Sequence, residues 1–318
     1  VNKICGSGLK TVMLAAAMIK GGYGEVFVAG GMESMSMGPY ILPKARFGYR
    51  LGHGQILDAT VHDGLWCSFT NQHMGNAAEW IADRYGITRE EMDRYALLSH
   101  RRAIAAIDAG KFKEEIVPVK VPQRKGASII FDADECPRHD TSMEALARLK
   151  PAFQGGGKVT AGNSPGITDG AAAVVVMSWE KAEELKIKPL ARITGYAQAA
   201  VAPLEIFTAP VFAVRKLLEK TGTVIDDYDL VEINEAFAAQ VLANEKELGW
   251  NREKMNVNGG AIALGHPIGC SGTRILVTLI YALRDRGLGR GLAALCLGGG
   301  EAVAMSIEII QNLQFGQR

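Results

Sequence analysis

The sequence predicts an α/β protein with an internal repeat, and three observations lead there. One pattern occurs twice. Near the start stand Val1-Asn2-Lys3-Ile4-Cys5-Gly6-Ser7-Gly8, an apolar-periodic stretch over 9–19, and Glu25-Val26-Phe27-Val28-Ala29-Gly30-Gly31. Near the end stand residues 256–272 around Gly265-His266-Pro267, a periodic stretch over 274–284, and Leu292-Ala293-Ala294-Leu295-Cys296-Leu297-Gly298-Gly299-Gly300. Both copies read as strand, Gly/Ser turn, helix, strand and glycine cluster. The second observation is that strands alternate with helices from about residue 171 onward, the signature of α/β layers. The third is bulk: 318 residues, 48% apolar and 22% charged, suffice for one large domain or two ordinary ones with a sizeable core.

Residues 1–35 form the first repeat, with 1–4 as its opening strand. From about 36 to 157 Gly, Pro, Tyr, His and Met are frequent and the alternation stops. This region reads as an insertion covering the site, because long excursions from a rigid scaffold commonly carry binding. Inside it, 76–85 and 89–109 read as amphipathic helices, the second with a capping box at Thr88 and Glu91 and a stop at Gly110. An apolar run over 171–178 suits a buried strand, and 179–185 a helix. A new unit begins near Pro189, with strands at 190–199 and 229–233 and helices at 211–220 and 236–248. The second repeat follows. Residues 291–310 come nearest to a membrane span, but three consecutive glycines and Glu301 interrupt them, so they read as two buried strands.

A formal net charge of +1 supplies no bulk attraction to nucleic acid or anionic membrane, while leaving room for local basic groups that hold a phosphorylated ligand. The five cysteines, Cys5, Cys67, Cys136, Cys270 and Cys296, are odd in number and lack metal-ligand spacing. That argues against a disulfide framework and a zinc site, and for a reducing, cytoplasmic setting. No metal or redox cofactor is suggested. The first residue is Val, inside an apparent strand, and the simplest explanation is that sequence upstream is missing.

Three side chains could carry chemistry. Cys5 lies where a strand turns through Gly6-Ser7-Gly8 into a helix; free N–H groups and the positive dipole end there favour a thiolate. An isolated cysteine is more often a small buried space-filler, but the glycine turn lets a carbonyl approach closely. His266 is flanked by Gly265 and Pro267, which fix a backbone direction and suit an imidazole aimed into a cleft as a base. Cys296 ends an apolar strand, where it can simply be core, yet the glycines of 298–300 expose N–H groups able to hold an oxyanion. Asn234, in Asn234-Glu235-Ala236-Phe237, closes another strand and can equally cap the following helix. If the two copies face each other, Cys5, His266 and Cys296 meet. His53, His62, His100, Cys67, Cys136 and Cys270 have no partner at meaningful spacing and read as structural.

Together these motifs resemble the thiolase family. The resemblance rests on Cys5-Gly-Ser-Gly, Gly30-Gly31-Met32-Glu33-Ser34-Met35-Ser36, His73-Met74-Gly75, Asn234-Glu235-Ala236-Phe237-Ala238, residues 258–272 and Cys296-Leu-Gly-Gly-Gly, in order along essentially the whole chain. It implies a thiolase-like fold of two similar α/β halves in αβαβα layers: 1–35 with 158–187 as the N-terminal half, 36–157 as an inserted loop domain that binds coenzyme A, and 188–318 as the C-terminal half. The family's usual first segment, of roughly eighty residues, has no counterpart in the sequence.

The resemblance also implies roles. Cys5 would carry the acyl group and His266 would activate it. Cys296 would protonate the leaving group or deprotonate the incoming methyl. Asn234 would hold a water that forms one oxyanion hole with His266, and the N–H groups of Cys5 and Gly298 the other. His73, Met74, Arg138 and Phe153 match positions that contact coenzyme A or border the acyl pocket. Ala145 and Pro165 stand where many members carry serines that touch coenzyme A. The implied activity is ping-pong acyl transfer between acyl-CoA and CoA, by a homodimer or homotetramer, without a cofactor. Two other readings remain open on the residues: a decarboxylating, ketoacyl-synthase-like condensing enzyme and a non-catalytic protein that binds acyl-CoA or lipid.

Overall fold

The chain, described over residues 1–310 by a computed structural model, opens with a 3-10 turn at Ile4–Gly6 that runs straight into helix α1 (Ser7–Lys20) and strand β1 (Val26–Ser34). Residues 311–318 of the expected C-terminal half lie outside the described residues. The opening strand expected at 1–4 does not form. The Ile4 amide donates to Asn2 Oδ1 at 3.0 Å and the Lys3 amide to Ser7 Oγ at 2.8 Å. Local side chains thus take the groups a ladder would need.

A long excursion follows β1. Strand β2 (Tyr40–Ile41) pairs with β3 (Leu57–Asp58), and β4 (Trp66–Cys67) with β5 (Gln72–His73). Helices α2 (Met74–Arg84) and α3 (Arg89–Asp108) come next, close to the expected bounds. The reciprocal cap forms as expected: the Glu91 amide donates to Thr88 Oγ1 at 3.2 Å, and the Thr88 amide to Glu91 Oε2 at 2.7 Å. A hairpin of β6 (Val119–Val121) and β7 (Ile129–Phe131) and the short helix α4 (Met143–Ala147) complete the excursion. Strand β8 (Asp169–Met177) then returns antiparallel to β1, and α5 (Trp179–Leu185) follows.

The remainder alternates: β9 (Ala191–Ala200), α6 (Ala209–Thr221), β10 (Leu230–Ile233), α7 (Ala238–Leu248), α8 (Ala261–Leu264), α9 (Ile268–Asp285), β11 (Arg290–Leu297) and β12 (Glu301–Ile309). Its sheet has the order β10-β11-β12-β9, parallel between β10 and β11 and antiparallel elsewhere. The strand expected to open the second repeat is also missing. Asn256 sits at φ 46 and Gly259 at φ 79, and only a single bridge joins Met255 to Val231. The left-handed residues turn the chain away before a ladder can extend.

Alternation along β11 explains the layers. Ala293, Leu295 and Leu297 join Leu9, Val12 and Met13 of α1 and Ile275, Leu279 and Leu283 of α9 in one core. Leu292, Ala294 and Cys296 face the other way, into a core with Ala213, Val214 and Leu217 of α6 and Val241 of α7. A strand covered on both faces must be apolar throughout, and β11 is, from Gly291 to Leu297. Helices α1 and α9 therefore lie between the β1–β8 pair and the four-stranded sheet, with α6 on that sheet's far side.

Glycines let the two central helices touch. A Cβ on Gly272 would stand 2.4 Å from the Leu9 amide nitrogen, and one on Gly8 would stand 2.7 Å from the Thr273 amide nitrogen. This contact brings the N-terminus of α9, which follows His266, against the start of α1, which follows Cys5.

Candidate active site

Cys5 sits in the 3-10 turn, one residue after Ile4, which is held at φ 50. A β-branched residue in that region costs on the order of 1–3 kcal/mol, and surrounding contacts must hold it. Leu297 and Gly298 do so. A Cβ on Gly298 would meet Ile4 Cδ1 at 2.4 Å, and one on Gly6 would meet Leu297 Cδ2 at 2.3 Å. The turn after β11 and the turn before α1 thus interlock, and Gly299 and Gly300, both at φ 88, give the tight reversal into β12.

This interlock brings the first and last expected catalytic groups together. Cys296 is close enough to Cys5 that a charge on one disfavours ionisation of the other. Burial is the larger cause and pushes the Cys296 thiol far above its ordinary range. Cys5 is likewise pushed up to about 12, by burial first and then by the Glu33 carboxylate, against the opposing pull of its own backbone N–H. The sequence expectation of an easily ionised thiol is therefore corrected. The helix N-terminus acts in the expected direction, but desolvation outweighs it.

His266 is buried, and burial followed by the charge of Arg274 lowers its pKa to about 4. Its Nδ1 lies 2.5 Å from Ser271 Oγ, and Ser271 donates its one proton to Pro267 O at 2.8 Å. Nδ1 must then carry the imidazole proton, which leaves Nε2 with a free lone pair. Nε2 faces Asn234 Nδ2 at 3.4 Å. Asn234 is fully buried, positioned at the end of β10 by the hydrogen bond its backbone N–H donates to Ala294 O at 3.0 Å. Its Oδ1 has no partner among the described residues. It does not cap α7, whose N-cap is Phe237.

The expected ligand contacts gather in part. His73 caps α2 by accepting the Gly75 amide at Nδ1, 3.0 Å away, and stacks on Phe153 with centroids 4.7 Å apart. Phe153 in turn meets Phe237 edge-on at 6.2 Å, and Met74 packs half-buried on the same core. Burial lowers the His73 pKa, so its ring is a neutral stacking surface. Arg138 lies on an exposed loop, its amide donating to His100 Nδ1 at 3.1 Å. His100, read from sequence as structural without a partner, thus has one.

Sequence reasoning passed over Ser271, Glu33 and Arg274. Ser271 and Glu33 stand inside the quoted motifs, but their partners, His266 Nδ1 and the Gly269 amide at 2.9 Å, are visible only once the chain is folded. A cleft of about 620 Å³ beside Ile4, Ser7, Gly31 and Ile268 is lined by neither cysteine nor His266. Among the described residues no group of three or more His, Cys, Asp or Glu could hold a metal ion, and no helix is long and apolar enough to cross a membrane.

The layered fold defines a class, and comparison with known proteins agrees. Residues 1–180 match the family described as thiolase, N-terminal domain, and 187–309 the family described as thiolase, C-terminal domain. The chain belongs to the thiolase family. It is 55% identical to an acetyl-CoA acetyltransferase of Chromobacterium violaceum, over 97% of this chain and 79% of that protein. It is 54% identical to an acetyl-CoA acetyltransferase of Escherichia coli K12, over 97% of this chain and 78% of the relative. The crystal structure of the Bacillus anthracis acetyl-CoA acetyltransferase superposes with a TM-score of 0.95 at 50% identity, covering 98% of this chain and 78% of that one.

Proposed function

We propose that the protein is an acetyl-CoA C-acetyltransferase, condensing two acetyl-CoA molecules to acetoacetyl-CoA and, in reverse, cleaving 3-ketoacyl-CoA with free coenzyme A. His266 Nε2 takes the Cys5 proton as Sγ attacks the thioester carbonyl. The CoA thiolate leaves and takes the Cys296 proton. The Cys296 thiolate then removes a methyl proton from the second acetyl-CoA, whose carbanion attacks the acetyl group on Cys5. Cys5 leaves as thiolate and recovers its proton from His266. Splitting one hard step through a covalent thioester makes two easier ones.

Desolvation pushes the half-buried Cys5 thiol up to about 12 and the His266 imidazole down to about 4, so both rest neutral. Charge is made only as substrate oxygen enters the oxyanion holes, where fixed donors act in a dry site. The amides of Cys5 and Gly298 would line one hole, and His266 with a water held by Asn234 the other. His73 and Phe153 would border the acyl-CoA channel with Met74, and the exposed guanidinium of Arg138 would meet phosphate by a charge-assisted bond. Met74 favours short acyl chains, which a chain-length series would test. The division into halves 1–35 with 158–187 and 188–318 around a loop domain 36–157 accompanies this reading, as do a homodimer or homotetramer and a cytoplasmic setting without added cofactor.

The observation that carries the reading is Cys296, a second thiol within the electrostatic reach of Cys5. A decarboxylating condensing enzyme pairs its nucleophile with two His, or with His and Asn. The test is Cys296→Ala with labelled acetyl-CoA. Cys5 should still be acetylated while acetoacetyl-CoA formation fails; unimpaired condensation would remove the role, and consumption of a malonyl thioester would favour the decarboxylating reading.

A further inference from the structure

Next to Asn234 in the chain stands a buried carboxylate for which the proposed reaction has no chemical use. Glu235, fully buried at the β10–α7 corner, accepts four hydrogen bonds. Tyr95 Oη at 2.8 Å and Asn256 Nδ2 at 2.9 Å donate to Oε1, and Ser99 Oγ at 2.7 Å and the Ile262 amide at 3.0 Å donate to Oε2. Ser99 also accepts the Gly260 amide at 3.1 Å. Asn256, at φ 46, is pinned to β10 by its Oδ1 and Nδ2, each 2.9 Å from the Ile233 backbone. A Cβ on Gly260 would stand 2.2 Å from Glu235 Cδ, so the 256–262 loop is packed directly on the carboxylate.

Each of those donors belongs either to α3 or to the segment that leads into His266. We propose that Glu235 is a positioning residue: it ties the 256–262 loop to β10 and α3 so that His266 Nε2 is held against Asn234. This rests on the acyltransferase reading for its consequence in turnover, not for its geometry. Four donors converge on one acceptor-only group, and an amide cannot replace it. Whichever way a glutamine turns, its NH2 faces either the Asn256 amide or the Ile262 N–H, two donors opposed. The loop must then shift, and the imidazole with it.

Glu235→Gln is expected to lower kcat for acetoacetyl-CoA thiolysis by roughly 10²-fold, the scale of a misplacement near 1 Å, with KM nearly unchanged. Ser99→Ala removes one donor to Glu235 and the acceptor of the Gly260 amide, and sets no two donors against each other. It should retain the fold and show the same pattern more weakly, and it decides the matter if Glu235→Gln does not fold. Alkylation of Cys5 by iodoacetamide, read by mass spectrometry without any acyl-CoA, should slow in both variants because the base is displaced. That readout separates the brace from the acyltransferase reading, which fails instead if the wild-type protein does not turn over. Wild-type kcat and alkylation rate in Ser99→Ala, or a rise in KM at constant kcat in either variant, would overturn the proposal.

Discussion

The hydroxyl of Ser271 has one proton and gives it to Pro267 O, so the neighbouring Nδ1 of His266 must donate and Nε2 is the basic atom. Ser271→Ala frees the ring to take the other tautomer and should lower kcat by at least 10-fold, within the range general-base catalysis supplies, roughly 10²–10⁴; kinetics at fixed pH would measure it. The acid limb of the rate profile should follow His266, whose pKa is lowered from 6.5 to about 4. Activity per folded molecule should persist well below pH 6 and fall only as the imidazole protonates. A limb near 6.5 would mean that the ring is hydrated or that another group is the base. At this scale the glycine setting singled out Cys5, His266 and Cys296 as candidates. Their ionisation was not legible, because a helix terminus shows in sequence and burial does not.

Helices α1 and α9 meet through Gly272, where a side chain would strike the Leu9 backbone. Gly272→Ala would press a methyl into the Leu9 backbone, which cannot swing away as a side chain could. The expected loss is on the order of 1–3 kcal/mol or more, seen as a lower denaturation midpoint. Activity should fall further than stability, since the same contact sets Cys5 against the His266 segment. The element pattern was largely legible: helices 179–185 and 89–109 and the two final strands appear where periodicity and caps put them. The opening strands of both repeats were not. A short segment such as Val1 to Ile4 becomes a strand only beside another, and here Asn2 and Ser7 hold the Ile4 and Lys3 amides. Asn256 similarly spends its side chain on Ile233.

At the scale of the whole molecule, two buried carboxyls, Glu232 and Glu115, lie in the field of Arg274 on α9. Glu232 is raised to about 8 and Glu115 to about 7, both chiefly by burial, with Arg274 pulling each down. Folded carboxyls with raised pKa values bind protons that the unfolded chain, near 4.5, has lost. Their contribution to stability is therefore complete below 4.5 and is lost as pH rises through about 7 and 8. His266 runs the other way: its lowered pKa gives stability above 6.5 that is lost as pH falls towards 4. Denaturation midpoints should fall between neutral and mildly alkaline pH, and Glu232→Gln should flatten that slope. An unchanged slope would mean that Glu232 is already ionised in the folded protein.

The covalent step at Cys5 is the centre of the account, and one experiment reaches it directly. The protein is incubated with isotopically labelled acetyl-CoA, quenched in acid and mapped by peptide mass spectrometry. The expected result is one acetyl group on the peptide containing Cys5, released when coenzyme A is added. Label on any other residue, or none while acetoacetyl-CoA still forms, would contradict the account.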